Sequence, residues 1–251
     1  MKISIITATH NSALTIGDTL QSILDQSYQD FEVLLQDSCS TDDTLAVVSR
    51  YAPQFGDRLK VESVPDSGIY DGLNKGIRRA TGDVVGTLNS DDFYTSRDVL
   101  QTIVDTYRAH PTLDAVYADV HYVEPSNLKH IVRYYCSRDF TPERMKMGFM
   151  PAHPTFYCRR TCYEQYGYYD PTLDVASDFE FVLRLIYIHH IQTLYVPADW
   201  VTMRTGGAST SGLNSHKQIM SDHIRAFRKN GIPFNPFKYF WRYVEKLKEL
   251  R

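Results

Sequence analysis

Within the first 95 residues, a short β-branched run, a polar loop and an amphipathic stretch follow one another three times, and that order leaves few folds open. Residues 3–8 read as a strand buried on both faces, because a brief run rich in isoleucine suits the inside of a sheet. Thr9-His10-Asn11-Ser12 is a polar turn. Residues 14–24 then carry Leu14, Leu20, Ile23 and Leu24 at helical spacing, the expected inner face of a helix. The second unit is a strand at 31–35, the loop Gln36-Asp37-Ser38-Cys39-Ser40-Thr41-Asp42-Asp43, and a helix over 44–51. The third is a strand at 59–64, the turn Pro65-Asp66-Ser67-Gly68, and a helix at 69–80. After Thr81-Gly82-Asp83, a fourth strand is expected at 84–88. Such a repeat requires an α/β fold with a mostly parallel central sheet flanked by helices. Ligands of these sheets bind at the carboxyl ends of the strands. Three polar loops, at 9–12, 36–43 and 89–92, are therefore expected on one rim.

The second half is less regular. Strands are expected at 115–120, 130–135 and 193–197, and a strongly apolar helix at 177–189. The segment 205–212 has Gly at both ends and reads as a flexible loop. No repeat or linker is visible, and 251 residues suit one large domain, or one with a small appendage. A 43% hydrophobic content provides for a sizeable core. A net charge of -3 gives no electrostatic case for nucleic acid as a partner. The apolar start is too short for a signal peptide, and no run long enough to span a membrane follows. Cys39, Cys136, Cys158 and Cys162 then read as cytosolic thiols. Cys158 and Cys162, with His153 upstream, include zinc-ligand residue types but lack the Cys-x-x-Cys spacing of a structural zinc site.

Three features carry chemistry. Asn89-Ser90-Asp91-Asp92 follows a buried strand, and carboxylates there suit a hard cation such as Mg²⁺ or Mn²⁺ that takes its other ligands from water and substrate phosphate. The competing use of Ser90 or Asp91 is to cap a following helix. Asp37, on the neighbouring loop, can accept a hydrogen bond from a nucleobase N–H, or cap its own helix. Asp71, Asn74 and Lys75 lie on a Gly-flanked helix where Asn74 and Lys75 can face a nucleotide, with solvent exposure the alternative for Lys75.

Taken in order, Thr7-Ala8-Thr9-His10-Asn11, Gln36-Asp37-Ser38-Cys39-Ser40-Thr41-Asp42, Asp66-Ser67-Gly68-Ile69-Tyr70-Asp71-Gly72-Leu73-Asn74-Lys75-Gly76, Ala80-Thr81-Gly82-Asp83 and Leu88-Asn89-Ser90-Asp91-Asp92 resemble the inverting family-two glycosyltransferases of bacterial surface-polysaccharide assembly. The match is strong over 1–95 and looser to about 209. The resemblance implies a GT-A fold over 1–210, with a nucleotide-binding half at 1–95, an acceptor half at 96–210 and a helical extension at 211–251. It also implies roles. Thr9 and His10 lie at the base, Asp37 reads it, Asp91 is the metal ligand, and Ser90 and Asp92 support the donor site. Two departures stand out: Asn89 replaces the first acid of the Asp-x-Asp motif, and Gln36-Asp37-Ser38 has one acid where the family's Asp-Asp-Gly has two.

An inverting transfer needs a general base on the acceptor side. Ala176-Ser177-Asp178-Phe179-Glu180 matches the family's acidic segment at a helix start, which implies Asp178 as base, with Glu180 as fallback. Capping and a packed face through Phe179, Phe181, Val182 and Leu185 are the structural alternative. His153 lies where the family forms its acceptor and sugar wall. Arg204-Thr205-Gly206-Gly207-Ala208-Ser209 matches a loop that closes over donor phosphates, with Arg204 the phosphate partner and His216 and Lys217 behind it. In the tail at 237–251, Phe237, Phe240, Trp241, Val244 and Leu247 share a helical stripe flanked by Lys238, Arg242, Lys246, Lys248 and Arg251. That stripe suits a peripheral contact with an anionic membrane, or packing on the domain or in a homodimer.

The expected function is metal-dependent transfer of a hexosyl unit from a nucleotide-diphosphate sugar, UDP preferred, to a saccharide or polyprenyl-linked acceptor, with Mn²⁺ or Mg²⁺ as cofactor. The expected location is the cytoplasm or the inner face of the cell membrane. A nucleotidyltransferase would carry a Gly-rich basic loop after the first strand, and a dinucleotide-dependent oxidoreductase a Gly-x-Gly-x-x-Gly; neither is present. A catalytically inactive nucleotide-sugar-binding or scaffold protein is the alternative of another class, and the joint presence of Asp37, Asp91 and Asp178 argues against it.

Overall fold

The computed structural model describes residues 1–206 and 213–246. Its first part runs β1 (Ile3–Thr9), α1 (Ile16–Leu24), β2 (Phe31–Asp37), α2 (Thr44–Phe55), β3 (Leu59–Ser63), α3 (Ile69–Arg79) and β4 (Val84–Thr87). The strands lie in the order β3-β2-β1-β4 and are all parallel, so their carboxyl ends form one rim. Every residue of β1, β2 and β4 is buried, as helices on both faces require. Ile3, Ile5, Val33 and Leu35 face the core under α1 and α2, while Ile6, Ala8 and Leu34 face the core under α3. Gly76 lets α3 approach the sheet, because a Cβ there would lie 2.6 Å from Ile6 Cγ2. Leu14 departs from expectation. The chain turns at Ser12, whose carbonyl accepts the Thr15 and Ile16 N–H groups, so α1 begins at Ile16 and Leu14 is left 97% exposed.

The second part runs β5 (Phe93–Tyr94), α4 (Val99–Ala109), β6 (Ala115–Glu124), β7 (Asn127–Tyr135), β8 (Tyr157–Arg159), α5 (Arg160–Tyr166), α6 (Ser177–Leu183), β9 (Thr193–Arg204), α7 (Leu213–Lys229) and α8 (Pro236–Lys246). A π-helical turn, Arg184–Ile188, prolongs α6. The sheet continues β4-β8-β6-β9-β5, with β7 hairpinned onto β6. The class is the expected one: α/β, with a parallel nucleus, mixed pairing beyond β4, and helices on both faces. The expected strand at 193–197 extends to Arg204, which puts that arginine at a strand end. The bulk of the expected flexible loop, 207–212, lies outside the described residues, as does the His216 side chain. Phe227 of α7 and Tyr239 of α8 share a core with Phe179 and Phe181 of α6, so both C-terminal helices are packed onto the sheet domain.

Candidate active site

A cleft of about 330 Å³ opens over the ends of β1 and β4, between the start of α3, the segment at 169–178 and the end of β9. It brings together six of the sequence-predicted residues: Ser90, Asp91, Asp92, His153, Asp178 and Arg204. Tyr70, Tyr169, Tyr122 and Met203 supply much of the remaining wall.

The acidic loop after β4 is not a helix cap, since it leads into β5 rather than a helix. Asp92 is 1% exposed and accepts a 2.9 Å hydrogen bond from Asn89 Nδ2. Thr19 of α1 donates to its backbone carbonyl at 2.7 Å. The residue in the place of the first acid thus donates to the carboxylate just after the motif; an aspartate there would face Asp92 as a like charge. Burial and then the neighbouring Asp91 charge push the Asp92 carboxyl well above the usual range, and burial raises Asp91 too. Ser90 Oγ lies 2.9 Å from Ser12 Oγ, tying this loop to the one after β1. Arg204 donates to the Asp91 carbonyl and to the Asp18 carboxylate, and lies over the Phe93 ring at 5.1 Å. It therefore already holds the acidic loop from a strand end, in place of the expected mobile loop position.

Two crowded carboxylates that burial pushes toward the neutral form fit a divalent cation, whose charge reverses that penalty. Among the described residues, no group of three or more His, Cys, Asp or Glu side chains is placed to hold a metal. A cation here would take Asp91, with Asp92 behind it, and draw its other ligands from phosphate and water, the habit of Mg²⁺ and Mn²⁺.

On the facing wall, Asp178 sits in the first turn of α6, where the helix N-terminus favours a carboxylate. Its Oδ1 accepts from Phe179 N–H at 2.8 Å and lies 3.1 Å from the Tyr70 hydroxyl, whose shorter bond goes to the Val175 carbonyl at 2.6 Å; its Oδ2 is 3.2 Å from His153 Nδ1. Burial, followed by the Asp178 charge, drives the Tyr70 phenol up, which keeps it a donor. Asp178 retains 17% side-chain exposure toward the cleft, and His153 34%. Glu180 is corrected from fallback base to structural anchor: fully buried, it pairs with Arg184 at 3.1 Å and accepts from Asn230. Phe179, Phe181, Val182 and Leu185 form the packed face of the same helix.

The other predicted residues stand outside the cleft wall. Thr9 and Asp37 are partners in the β1–β2 register, at the rim. The Thr9 hydroxyl is buried without a hydrogen-bond partner. Asp37 is fully buried and accepts from Ser40 N–H at 3.1 Å, Ser40 Oγ at 2.5 Å and Ser63 Oγ at 2.5 Å. In this conformation it shapes its own loop; three donors leave one acceptor site on Oδ1, and full burial closes that site to a base. His10 is exposed, with Nδ1 2.8 Å from the Ser38 carbonyl. Asn74 is corrected: its amide donates to the Tyr169 carbonyl at 2.9 Å and accepts the Tyr169 N–H at 3.0 Å, which makes it a strut under the cleft instead of a donor contact. Lys75 bonds the Pro65 carbonyl at 2.6 Å and pairs with Asp71 at 3.0 Å, so both stabilise the start of α3.

Helix α7 positions the segment that leads to Asp178. Lys229 reaches Asp170 at 2.8 Å, Arg225 the Thr172 carbonyl at 2.7 Å, and Gln218 the Asp174 carboxylate at 3.0 Å. Between them, the fully buried Asp222 accepts the Val175 N–H at 2.8 Å and the Ala176 N–H at 3.3 Å. One face of α7 thus grips 170–176, just before Asp178. Sequence reasoning missed Asp222, Tyr70 and Asp18. Only Tyr70 had a signal, as part of the run Gly68-Ile69-Tyr70-Asp71.

The family model for glycosyl transferase family 2 matches residues 4–173. A PGL/p-HBAD biosynthesis glycosyltransferase of Mycobacterium bovis is 31% identical over 181 residues, covering 72% of this chain and 68% of that protein. The crystal structure of S. aureus TarS 1-349 in complex with UDP-GlcNAc superposes with a TM-score of 0.69 at 21% identity, covering 88% of this chain and 66% of that one. The mannosyltransferase PcManGT from Pyrobaculum calidifontis, in complex with GDP-Man and Mn²⁺, superposes with a TM-score of 0.64 at 21% identity, covering 90% and 63%. These superpositions bear on the fold, which is GT-A.

Proposed function

Since the chain belongs to glycosyl transferase family 2, we propose that it transfers a hexosyl unit, with inversion, from a nucleotide-diphosphate sugar to a saccharide or polyprenyl-linked saccharide hydroxyl. The observation that carries this reading is that the acidic loop Asn89–Asp92 and the Asp178–His153 pair line the same cleft. Inversion needs the base and the leaving group on opposite sides of the sugar.

In this mechanism the donor pyrophosphate lies against Ser90 and Asp91, and the sugar projects toward Asp178. Asp178 takes the acceptor hydroxyl proton as the oxygen attacks the anomeric carbon and the bond to the pyrophosphate breaks. The Phe179 N–H fixes Oδ1 of Asp178, with the Tyr70 hydroxyl shared between it and the Val175 carbonyl, which leaves Oδ2, beside His153, to receive the proton. Arg204 holds the Asp91 backbone and places a guanidinium beside the departing phosphates. Mn²⁺ or Mg²⁺ bound at Asp91 would offset the charge on the nucleotide diphosphate as it leaves. Thr9, with its buried hydroxyl lacking a partner, His10 and Asp37 would border the base. UDP is our preferred nucleotide, and GDP stays in the test: TarS is described with UDP-GlcNAc and the mannosyltransferase PcManGT with GDP-Man.

The test is a thermal-shift screen of UDP-, GDP- and dTDP-sugars with Mn²⁺ or Mg²⁺, followed by product detection, with Asp91→Ala alongside. Metal-dependent stabilisation and turnover by the wild type, both lost in Asp91→Ala, are expected. Full metal-dependent activity in that variant would overturn the metal assignment. Donor binding with no transfer or hydrolysis by the wild type would favour the inactive scaffold.

A further inference from the structure

The structure decides which face of α8 is spent on the domain. Tyr239 is fully buried and Arg242 is 3% exposed. Arg242 donates to the Tyr239 hydroxyl at 2.9 Å and to the Gly148 carbonyl at 3.3 Å, and lies 3.2 Å from His223 Nδ1. Tyr239 Oη is itself 3.0 Å from His223 Nδ1. The helix is therefore docked by a mixed polar face. Its apolar stripe points away: Phe237 is 87% exposed, Phe240 55% and Trp241 56%. With Pro236 these rings form one contiguous apolar surface.

Large aromatic side chains at helical spacing on a docked helix are an unusual thing to leave facing solvent. The surrounding charge says what suits them. The sequence from 237 to 251 holds five basic side chains against two acidic ones, in a chain whose net charge is -3. Arg242 is turned inward, but Lys238 is exposed beside the stripe. Lys246, Lys248 and Arg251 follow in sequence, with side chains outside the described residues, as are those of Val244 and Leu247. Aromatic rings with an exposed lysine beside them, in a segment of basic sequence, match the boundary of an anionic bilayer, where rings enter the headgroup layer and cations meet lipid phosphate. A second copy of this chain would bring the same positive charge to the contact, which disfavours a symmetric dimer through this face.

We propose that α8 is a docking surface for an anionic lipid bilayer. It places the protein flat on the membrane through Phe237, Phe240 and Trp241; no helix among the described residues is long and apolar enough to cross it. The docking is a property of the surface alone and needs no nucleotide sugar. Its failure and the failure of the proposed transfer are therefore separate results.

The experiment is sedimentation of the full chain with vesicles of phosphatidylcholine, with and without phosphatidylglycerol, at low and high salt, while tryptophan emission is followed. Trp200 is 2% exposed, so Trp241 is the reporter that vesicles can reach. Expected is binding to the anionic vesicles on the order of 100-fold tighter than to neutral ones, weakened by salt, with a blue shift of Trp241 emission. Phe237→Ser with Phe240→Ser should lower anionic binding at least tenfold and leave donor hydrolysis unchanged. Should that pair impair folding, Lys238→Glu with Lys248→Glu tests the charge alone and should also weaken binding. Equal binding to both vesicle types, no blue shift, or a wild-type dimer that the serine pair turns monomeric would overturn the proposal.

Discussion

Replacing Asp222 by alanine tests whether α7 builds the catalytic wall or merely covers it. The carboxylate is fully buried, and its Oδ2 receives the Val175 N–H at 2.8 Å and the Ala176 N–H at 3.3 Å. Its Oδ1 meets Gln218 at 3.3 Å and Arg225 at 3.4 Å. Alanine strands two backbone donors in a site that side chains have closed to water. A hydrogen bond to a charged acceptor is worth roughly 1.5–3 kcal/mol, and the longer contacts add less, so a loss of about 2–4 kcal/mol is expected. For a chain of this size that is a fall of roughly 5–12 °C in melting temperature. Asparagine keeps an acceptor for Val175 and should cost only about 1 kcal/mol. The catalytic effect should be selective. Asp178 follows directly on the released segment, whereas Asp91 stands on a loop after β4. Below the melting transition, turnover should drop about tenfold or more while donor affinity stays within about twofold, as expected when orientation of the base is lost. Thermal melts, and kcat with donor KM measured on the same preparations, read both effects. An alanine variant with an unchanged melting temperature and unchanged kcat would refute the positioning argument.

Asp178→Asn keeps the acceptor for Tyr70 and Phe179 N–H but cannot take a proton; donor stabilisation should persist while transfer falls about 10²–10⁴-fold, measured as product formed over time. Gly76→Ala should lower stability by about 1–3 kcal/mol in urea titration, because the new methyl meets Ile6 at 2.6 Å, although alanine is the better helix former; a more stable variant would refute the close packing of α3 on β1. Burial alone would raise the Asp170 carboxyl, but the Lys229 ammonium at 2.8 Å and the Thr172 hydroxyl and N–H outweigh it and hold the group at about 2. A depressed carboxylate contributes stability above its unfolded value near 4 that is lost as pH falls toward 2. Asp170→Asn should therefore be less stable than the wild type by about 1–2 kcal/mol at pH 6, and the gap should close between pH 4 and pH 2 in denaturant melts.

The parallel nucleus was readable because each strand is short, β-branched and followed by a polar loop, a pattern that only repeated crossovers satisfy. Asp91 and Asp178 were read from a strand end and a helix start, and both line the same cleft. What composition does not distinguish is a polar side chain that touches ligand from one that holds a loop. Asp37, Asn74 and Lys75 were read toward a nucleotide, yet each is engaged with nearby backbone or hydroxyl groups. The extension of β9 was hidden by Pro197, which reads as a strand end. The register skips there, from Tyr117↔Tyr195 to Asp119↔Asp199, and the irregularity absorbs the proline. β5 and β8, with two and three residues, are too short for any periodicity to register. Asp222 was invisible because nothing local marks a helix carboxylate as the cap of a distant segment.

The grip of α7 on 170–176 also has a temporal side. The family match stops at residue 173, and the acidic loop after β4, where the proposed mechanism places the pyrophosphate, precedes it. The segment leading to Asp178 is held by residues from 218 to 229, which leave the ribosome later. A nascent chain can thus complete its donor platform before its proton acceptor is fixed. Until α7 docks, a nucleotide sugar bound there meets no oriented base, so the last helices to be made arm the site as well as finish the fold.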